Sequence, residues 1–253
     1  MRGKILAQWQ ADRQRGFSLV EVMVAMVIGL LIMLTVGNVF LAGQRSSLDQ
    51  SESARLQETG RFVLDTISRV VMNAGRADVG PDNTLLTFAA VAPGVLALDA
   101  ANGAGTAPDT LIVRFSSANN GEADCLGANT NGLPAAPAVV TQTLALAGTN
   151  LRCTSSVGNA TQPIANDVED FQVTFGQDTN ADGSVDQYVA PTTANAPLTN
   201  VVRVCVLVRT ATGVSPGGQQ YVDCNGATVT AGAADTRMRR AFTKVIGLRN
   251  RLG

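Results

Sequence analysis

The sequence predicts an α+β protein, one long N-terminal helix packed on an antiparallel β-sheet domain with long loops. Three observations predict it. An apolar run follows residue 17 and holds no proline, because all nine prolines lie at Pro81 or later. An amphipathic stretch at helical spacing carries that run on to residue 74. Beyond Gly75, short alternating apolar runs are punctuated by Gly, Pro and Asn, the texture of strands and turns.

The run comes first. From Val22 to Val36 every residue is apolar, Gly29 or Thr35, and Val39, Phe40 and Leu41 continue it. Glu21 is the one charge between Phe17 and Ala42. About 20 apolar residues suffice to cross a bilayer as a helix. A lone carboxylate in such a helix costs a few kcal/mol on insertion scales and marks a functional position by default. Residues 1–16 carry Arg2, Lys4, Arg13 and Arg15 against Asp12. The positive leader belongs on the cytoplasmic side and the domain after the span outside the inner membrane. This is not a conventional secretory signal, because the apolar block follows the leader and stays in the mature chain.

Composition excludes several functions. The 253 residues contain no histidine, which removes His-based triads, His metal sites and imidazole acid–base catalysis. There is no nucleophile elbow, and Asn102-Gly103-Ala104-Gly105 matches no phosphate-loop pattern. An enzyme is therefore not expected. Net charge is −1, and −4 once the leader is removed, with no basic face interleaved with aromatics; no nucleic acid is indicated as a partner. Cys125, Cys153, Cys205 and Cys224 all follow the span, and none forms a CxxC pair. An even count in an exported domain reads as two disulfides. Three pairings are open, and loop length favours the sequential one.

The junction Arg15-Gly16-Phe17-Ser18-Leu19-Val20-Glu21, with a basic leader before it and the apolar run after it, resembles the class III signal of type IV pilins and type II secretion pseudopilins. The resemblance implies cleavage between Gly16 and Phe17 by a prepilin peptidase and N-methylation of Phe17. It also implies an assembly role for Glu21 and a type IV pilin-like fold.

Residues 44–74 continue the helix. Leu48, Leu56, Val63, Ile67, Val70 and Val71 recur at helical spacing with charges between them, and Gly60 costs about 1 kcal/mol of helix propensity. Asn73-Ala74-Gly75 supplies the stop. One helix from Phe17 to Ala74 would span roughly 85–90 Å. The stretch Arg55-Leu56-Gln57-Glu58-Thr59-Gly60-Arg61-Phe62, followed by Asn73-Ala74-Gly75-Arg76, is similar to the PilW family of minor pilins, with Thr59 where that pattern has Asn. The basic close, Arg237 to Arg251, resembles the same family.

The expected organisation is a cleaved leader at 1–16, a membrane and filament-core half-helix at 17–43, an amphipathic half at 44–75 and a periplasmic or extracellular β domain at 76–253. Strands are expected at Leu85–Val91, Thr110–Ser116, Ala138–Ala145, Val168–Phe175, Asn200–Arg209, Gln220–Cys224 and Arg239–Leu248. Residues 100–109 and 225–235 read as surface loops.

One segment has metal-ligand spacing. Asp178, Asn180, Asp182 and Asp186, with the Ser184 carbonyl and Gly183 at the turn, match the first nine residues of an EF-hand-type Ca²⁺ loop. Val189 stands where the bidentate Glu belongs, and the same residues are normal for a β-hairpin turn.

The resemblance implies a minor pilin of PilW type that initiates or caps a type IV pilus with other minor and major pilins. Before assembly it would sit in the inner membrane with its domain in the periplasm, and afterwards in the pilus at the cell surface. A pseudopilin at the tip of a type II secretion pseudopilus is the alternative within the same helix physics. A membrane-anchored adhesin or calcium-binding module is the alternative of a different class.

Overall fold

The computed structural model describes residues 16–77, 88, 92, 94–117, 122–130, 138–191, 199–214 and 216–250. The long helix among the described residues, α1, runs Leu19–Met72, 54 residues without a break. The Val22 N–H donates to the Ser18 carbonyl (3.2 Å) and opens the ladder. At the other end Asn73 and Ala74 donate to the Val70 and Val71 carbonyls, so the last turn tightens to three-residue spacing. Gly75 then takes φ 70, a left-handed exit open to glycine. The helix is two residues shorter at each end than its apolar pattern, because end turns are set by capping bonds rather than by periodicity.

The chain divides into two compact units, one ending at Leu48 and one running from Asp49 to the C-terminus. In the first, the most apolar 18-residue window has a mean hydropathy of 2.7, and none of it is buried. A helix that is apolar all round and packed on nothing is suited to lipid or to other helices.

Among the described residues, the second unit contains every strand. In chain order these are β1 Leu98–Ala101, β2 Thr110–Ser117, β3 Ala138–Ala147, β4 Asn150–Ser155, β5 Ala160–Ala165, β6 Val168–Gln177, β7 Gln187–Val189, β8 Thr199–Arg209, β9 Gln220–Val222, β10 Thr228–Thr230 and β11 Arg239–Gly247. The strands β1 to β5 form one antiparallel meander in sequence order. A second antiparallel sheet has the order β11-β8-β6-β7, and β9 with β10 is a separate hairpin.

Alternation decides which face is inside. Leu111, Val113 and Phe115 on β2, and Val202, Val204, Val206 and Val208 on β8, are fully buried. Most of them share one apolar core with Leu144, Leu151, Phe171 and Val173 and with Val63, Ile67, Val70 and Val71 of α1. The amphipathic half of the helix is thus part of the domain's core. Leu48, expected on that face, is 58% exposed and lies before the domain begins. Gly60 is buried, and a Cβ there would fall against the ring of Phe242 on β11.

Most expected strands are present, and several others appear. The strand expected at 85–91 lies outside the described residues but for Phe88. The strands β1, β4, β5, β7 and β10 are not among those expected, although in β4 Leu151 and Cys153 alternate with polar residues and are buried. The supposed loop at 225–235 contains β10, whose three residues pair with β9, and Ala100 and Ala101 of the supposed loop at 100–109 belong to β1. The rest of that loop is fixed by Asp109. Its buried carboxylate accepts N–H bonds from Gly103 and Val173 (2.8 Å each), and its own N–H donates to the Phe171 carbonyl (2.7 Å). Short polar strands carry no readable period; their partners create them.

Candidate functional site

Three regions carry the candidate residues, beginning with the junction. Gly16, Phe17 and Ser18 precede the helix in non-helical conformation, and Phe17 is 81% exposed. A Cβ on Gly16 would meet nothing within 4 Å. The scissile bond expected from the sequence therefore lies in exposed, irregular chain, the form in which a protease can bind a backbone. Glu21 falls in the first turn of α1, where the positive end of the helix dipole favours a carboxylate. Its side chain is exposed in the isolated chain and surrounded in sequence by apolar residues.

The second region is the acidic turn joining β6 and β7. Thr179 donates both its N–H and its hydroxyl to the Asp186 carboxylate (2.7 Å each), which holds that carboxyl below its ordinary range. Asp178 accepts from the Gly183 N–H (2.8 Å), the Asp182 N–H (3.2 Å) and the Asn200 amide (3.0 Å). Ala181 and Gly183 take positive φ, which lets the chain reverse within a few residues. The side chains that meet are Asn180, Asp182 and Asp186, since the Asn180 amide donates to both carboxylates (3.2 and 3.4 Å). Asp182 also receives the Ser184 N–H (2.7 Å). Among the described residues, no group of three His, Cys, Asp or Glu side chains is placed to hold a metal ion.

Disulfides form the third region. Cys125 is joined to Cys153 and Cys205 to Cys224, with Cα separations of 6.4 and 5.6 Å. The first holds the 122–130 loop against β4. The second ties the turn after β9 to β8, on the face opposite Val204 and Val206.

Sequence reasoning missed an ion-pair cluster. Glu169 accepts from Arg239 through both Nε and Nη2 and from Arg209 Nη1 (3.1 Å), while Asp235 takes a second bond from Arg239. The Arg239 side chain is 8% exposed, and its hydrogen bonds to Glu169 raise its pKa above the ordinary value. Arg239 also lies over the Tyr221 ring (5.3 Å). The available signal was charge within the basic C-terminal strand, but charge there reads equally as edge protection. One more inter-element pair joins Lys244 of β11 to Asp65 of α1 (2.8 Å), and that bond lowers the Asp65 pKa.

Comparison with known proteins adds two family matches. The model described as "Type IV Pilus-assembly protein W" matches residues 125–250. The model described as "Prokaryotic N-terminal methylation motif" matches residues 12–37, across Gly16, Phe17 and Glu21. Among solved structures the chain is similar to a type IV-like pilin from Thermus thermophilus, with 12% identity over 79% of this chain and 98% of that one, at a TM-score of 0.46. No curated protein sequence matches it.

Proposed function

Because this chain belongs to the PilW family of type IV pilus-assembly proteins, we propose that it is a minor pilin. In this reading it initiates or caps the filament together with other minor and major pilins, and its role is assembly rather than catalysis. One observation carries the reading. A single unbroken helix has an apolar first part with no buried residue in its hydropathy window, and a second part that supplies the domain's own core. A domain needs only the second part. The first is a surface awaiting a surround, which the membrane offers before assembly and neighbouring helices offer within a fibre. Glu21 then has to find a partner or take up a proton among apolar helices. The Phe17 ammonium released by cleavage, of this chain or a neighbour, is the group of matching charge.

In this reading the leader is removed by prepilin peptidase, the anchored chain waits in the inner membrane with its domain in the periplasm, and the assembled chain reaches the surface in the pilus. Mass spectrometry of sheared pili tests it. The chain should be present and should begin at N-methylated Phe17. Its absence from fibres that contain the other pilins would overturn the proposal.

The acidic turn supports a second reading, Ca²⁺ binding. Asn180, Asp182 and Asp186 meet at the Asn180 amide group. The side-chain oxygens of Asn180, Asp182 and Asp186 would be the donors, with the Ser184 carbonyl as a further hard donor and Asp178 holding the turn. Extracellular modules bind Ca²⁺ at ~0.1–1 mM. Thermal unfolding at millimolar calcium should therefore shift upward relative to chelator, as RT ln(1 + [L]/Kd). Coincident curves would reduce the segment to a turn.

A further inference from the structure

We propose that the groove between the outer face of α1 and β11 docks an acidic segment, carrying an apolar residue, from a neighbouring subunit of the filament. The inference rests on the assembly reading and specifies one of its contacts. Two adjoining clefts of 560 and 590 Å³ share Glu58, Arg61, Asp65 and Lys244. Arg240 and Phe242 extend the first, and Phe62, Arg69 and Met72 extend the second.

The charges are out of balance. Four cations face two carboxylates, and Asp65 is already paired with Lys244 at 2.8 Å. Among the described residues Arg61, Arg69 and Arg240 form no ion pair. Arg69 donates to the Thr66 hydroxyl (3.3 Å), Arg61 and Arg69 share the field of the single Asp65 carboxylate with Lys244, and Arg240 lies 5.7 Å from the Phe242 ring. This positive surplus stands on a chain whose net charge after the leader is −4. The groove also exposes apolar surface, with Phe62 at 50% and Met72 at 37%.

Arginines in excess of the carboxylates around them, beside a large exposed aromatic, have the composition of an interface hot spot. A guanidinium presents a rigid fork to a carboxylate, so an acidic segment suits Arg61 and Arg240. An apolar residue on that segment would cover Phe62 and Met72. A phosphate backbone fits less well, because Glu58 and this apolar floor would oppose it.

The test uses the full-length chain in its own cells and in detergent. The variants are Arg61→Glu with Arg240→Glu, and separately Phe62→Ala. Arg152→Glu, an exposed residue of β4, makes the same type of charge reversal elsewhere. The groove variants should accumulate in the membrane and unfold at the wild-type temperature. Their recovery in sheared fibres should fall about tenfold, the effect of losing one good contact. Arg152→Glu should be recovered normally. Should the double reversal unfold early, Phe62→Ala, at a half-exposed position, carries the test. In fibres built with Arg61→Lys, carbodiimide should couple the introduced amine to an Asp or Glu of another subunit. Wild-type recovery of both groove variants, or coupling confined to Glu58 and Asp65 of the same chain, overturns the groove and leaves assembly standing. If the wild-type chain itself is absent from fibres, the assembly reading falls and this inference falls with it.

Discussion

Replacing Gly60 with alanine sets two effects of opposite sign against each other. Glycine inside a helix is worse than alanine by about 1 kcal/mol, so propensity alone makes Gly60→Ala stabilising. The structure opposes that gain. The added Cβ would overlap Cγ, Cδ2 and Cε2 of Phe242, which packs against the main core from β11. Displacing a packed ring costs about 1–3 kcal/mol. The net expectation runs from neutral to a loss of about 2 kcal/mol. Urea unfolding of the compact unit, residues 49–253, reads it by circular dichroism. With a slope of about 2–3 kcal/mol per molar, a loss of 1 kcal/mol moves the midpoint down by roughly 0.3–0.5 M. The sharper measurement is a cycle with Phe242→Ala. Once the ring is gone, Gly60→Ala should stabilise by about 1 kcal/mol, so the coupling equals the cost of the clash. A midpoint that rises equally with and without the ring would refute the reasoning, because propensity alone would then govern the site.

Other expectations follow from the same geometry. Glu169→Ala leaves Arg209 and the nearly buried Arg239 short of their shared carboxylate, and should cost about 3 kcal/mol in the same urea assay. Burial raises the Asp170 carboxyl above its ordinary 3.8, so the folded state holds that proton more tightly than the unfolded one. Its contribution is greatest below 3.8 and is lost as pH rises through the raised value. Asp170→Asn keeps an oxygen for the Phe171 N–H, so it should be more stable than wild type near neutral pH, with the gap closing in acid. Losing Cys205–Cys224, which closes a separation of 19, should cost about 3 kcal/mol on the chain-entropy model and speed proteolysis of the 210–236 segment. Gly16→Val should block maturation, leaving a precursor-sized band in the membrane fraction; a mature-sized band with normal piliation would count against it.

The sequence by itself determined the elements whose physics is local or strongly periodic. The apolar run, the absence of proline before Pro81 and the helical spacing from Leu56 to Val71 place α1 to within two residues at each end. Strict alternation similarly placed β6 and β8. The N-terminal methylation motif was legible because it is a contiguous string beside a long apolar run, with no dependence on long-range contacts. The acidic turn was legible as a turn, though its side-chain directions were not. Only the tertiary structure decided the rest. The short strands β1, β5, β7 and β10 exist because neighbouring edges supply their hydrogen bonds, a cause that no window of residues contains. Gly60 reads as a weak point in a helix until Phe242, far along the chain, is seen to occupy the space a side chain would need. Arg239 and Lys244 look alike in a basic strand. One is buried in a carboxylate cluster while the other reaches Asp65 across a groove, because alternate positions along the strand and its partners set their surroundings.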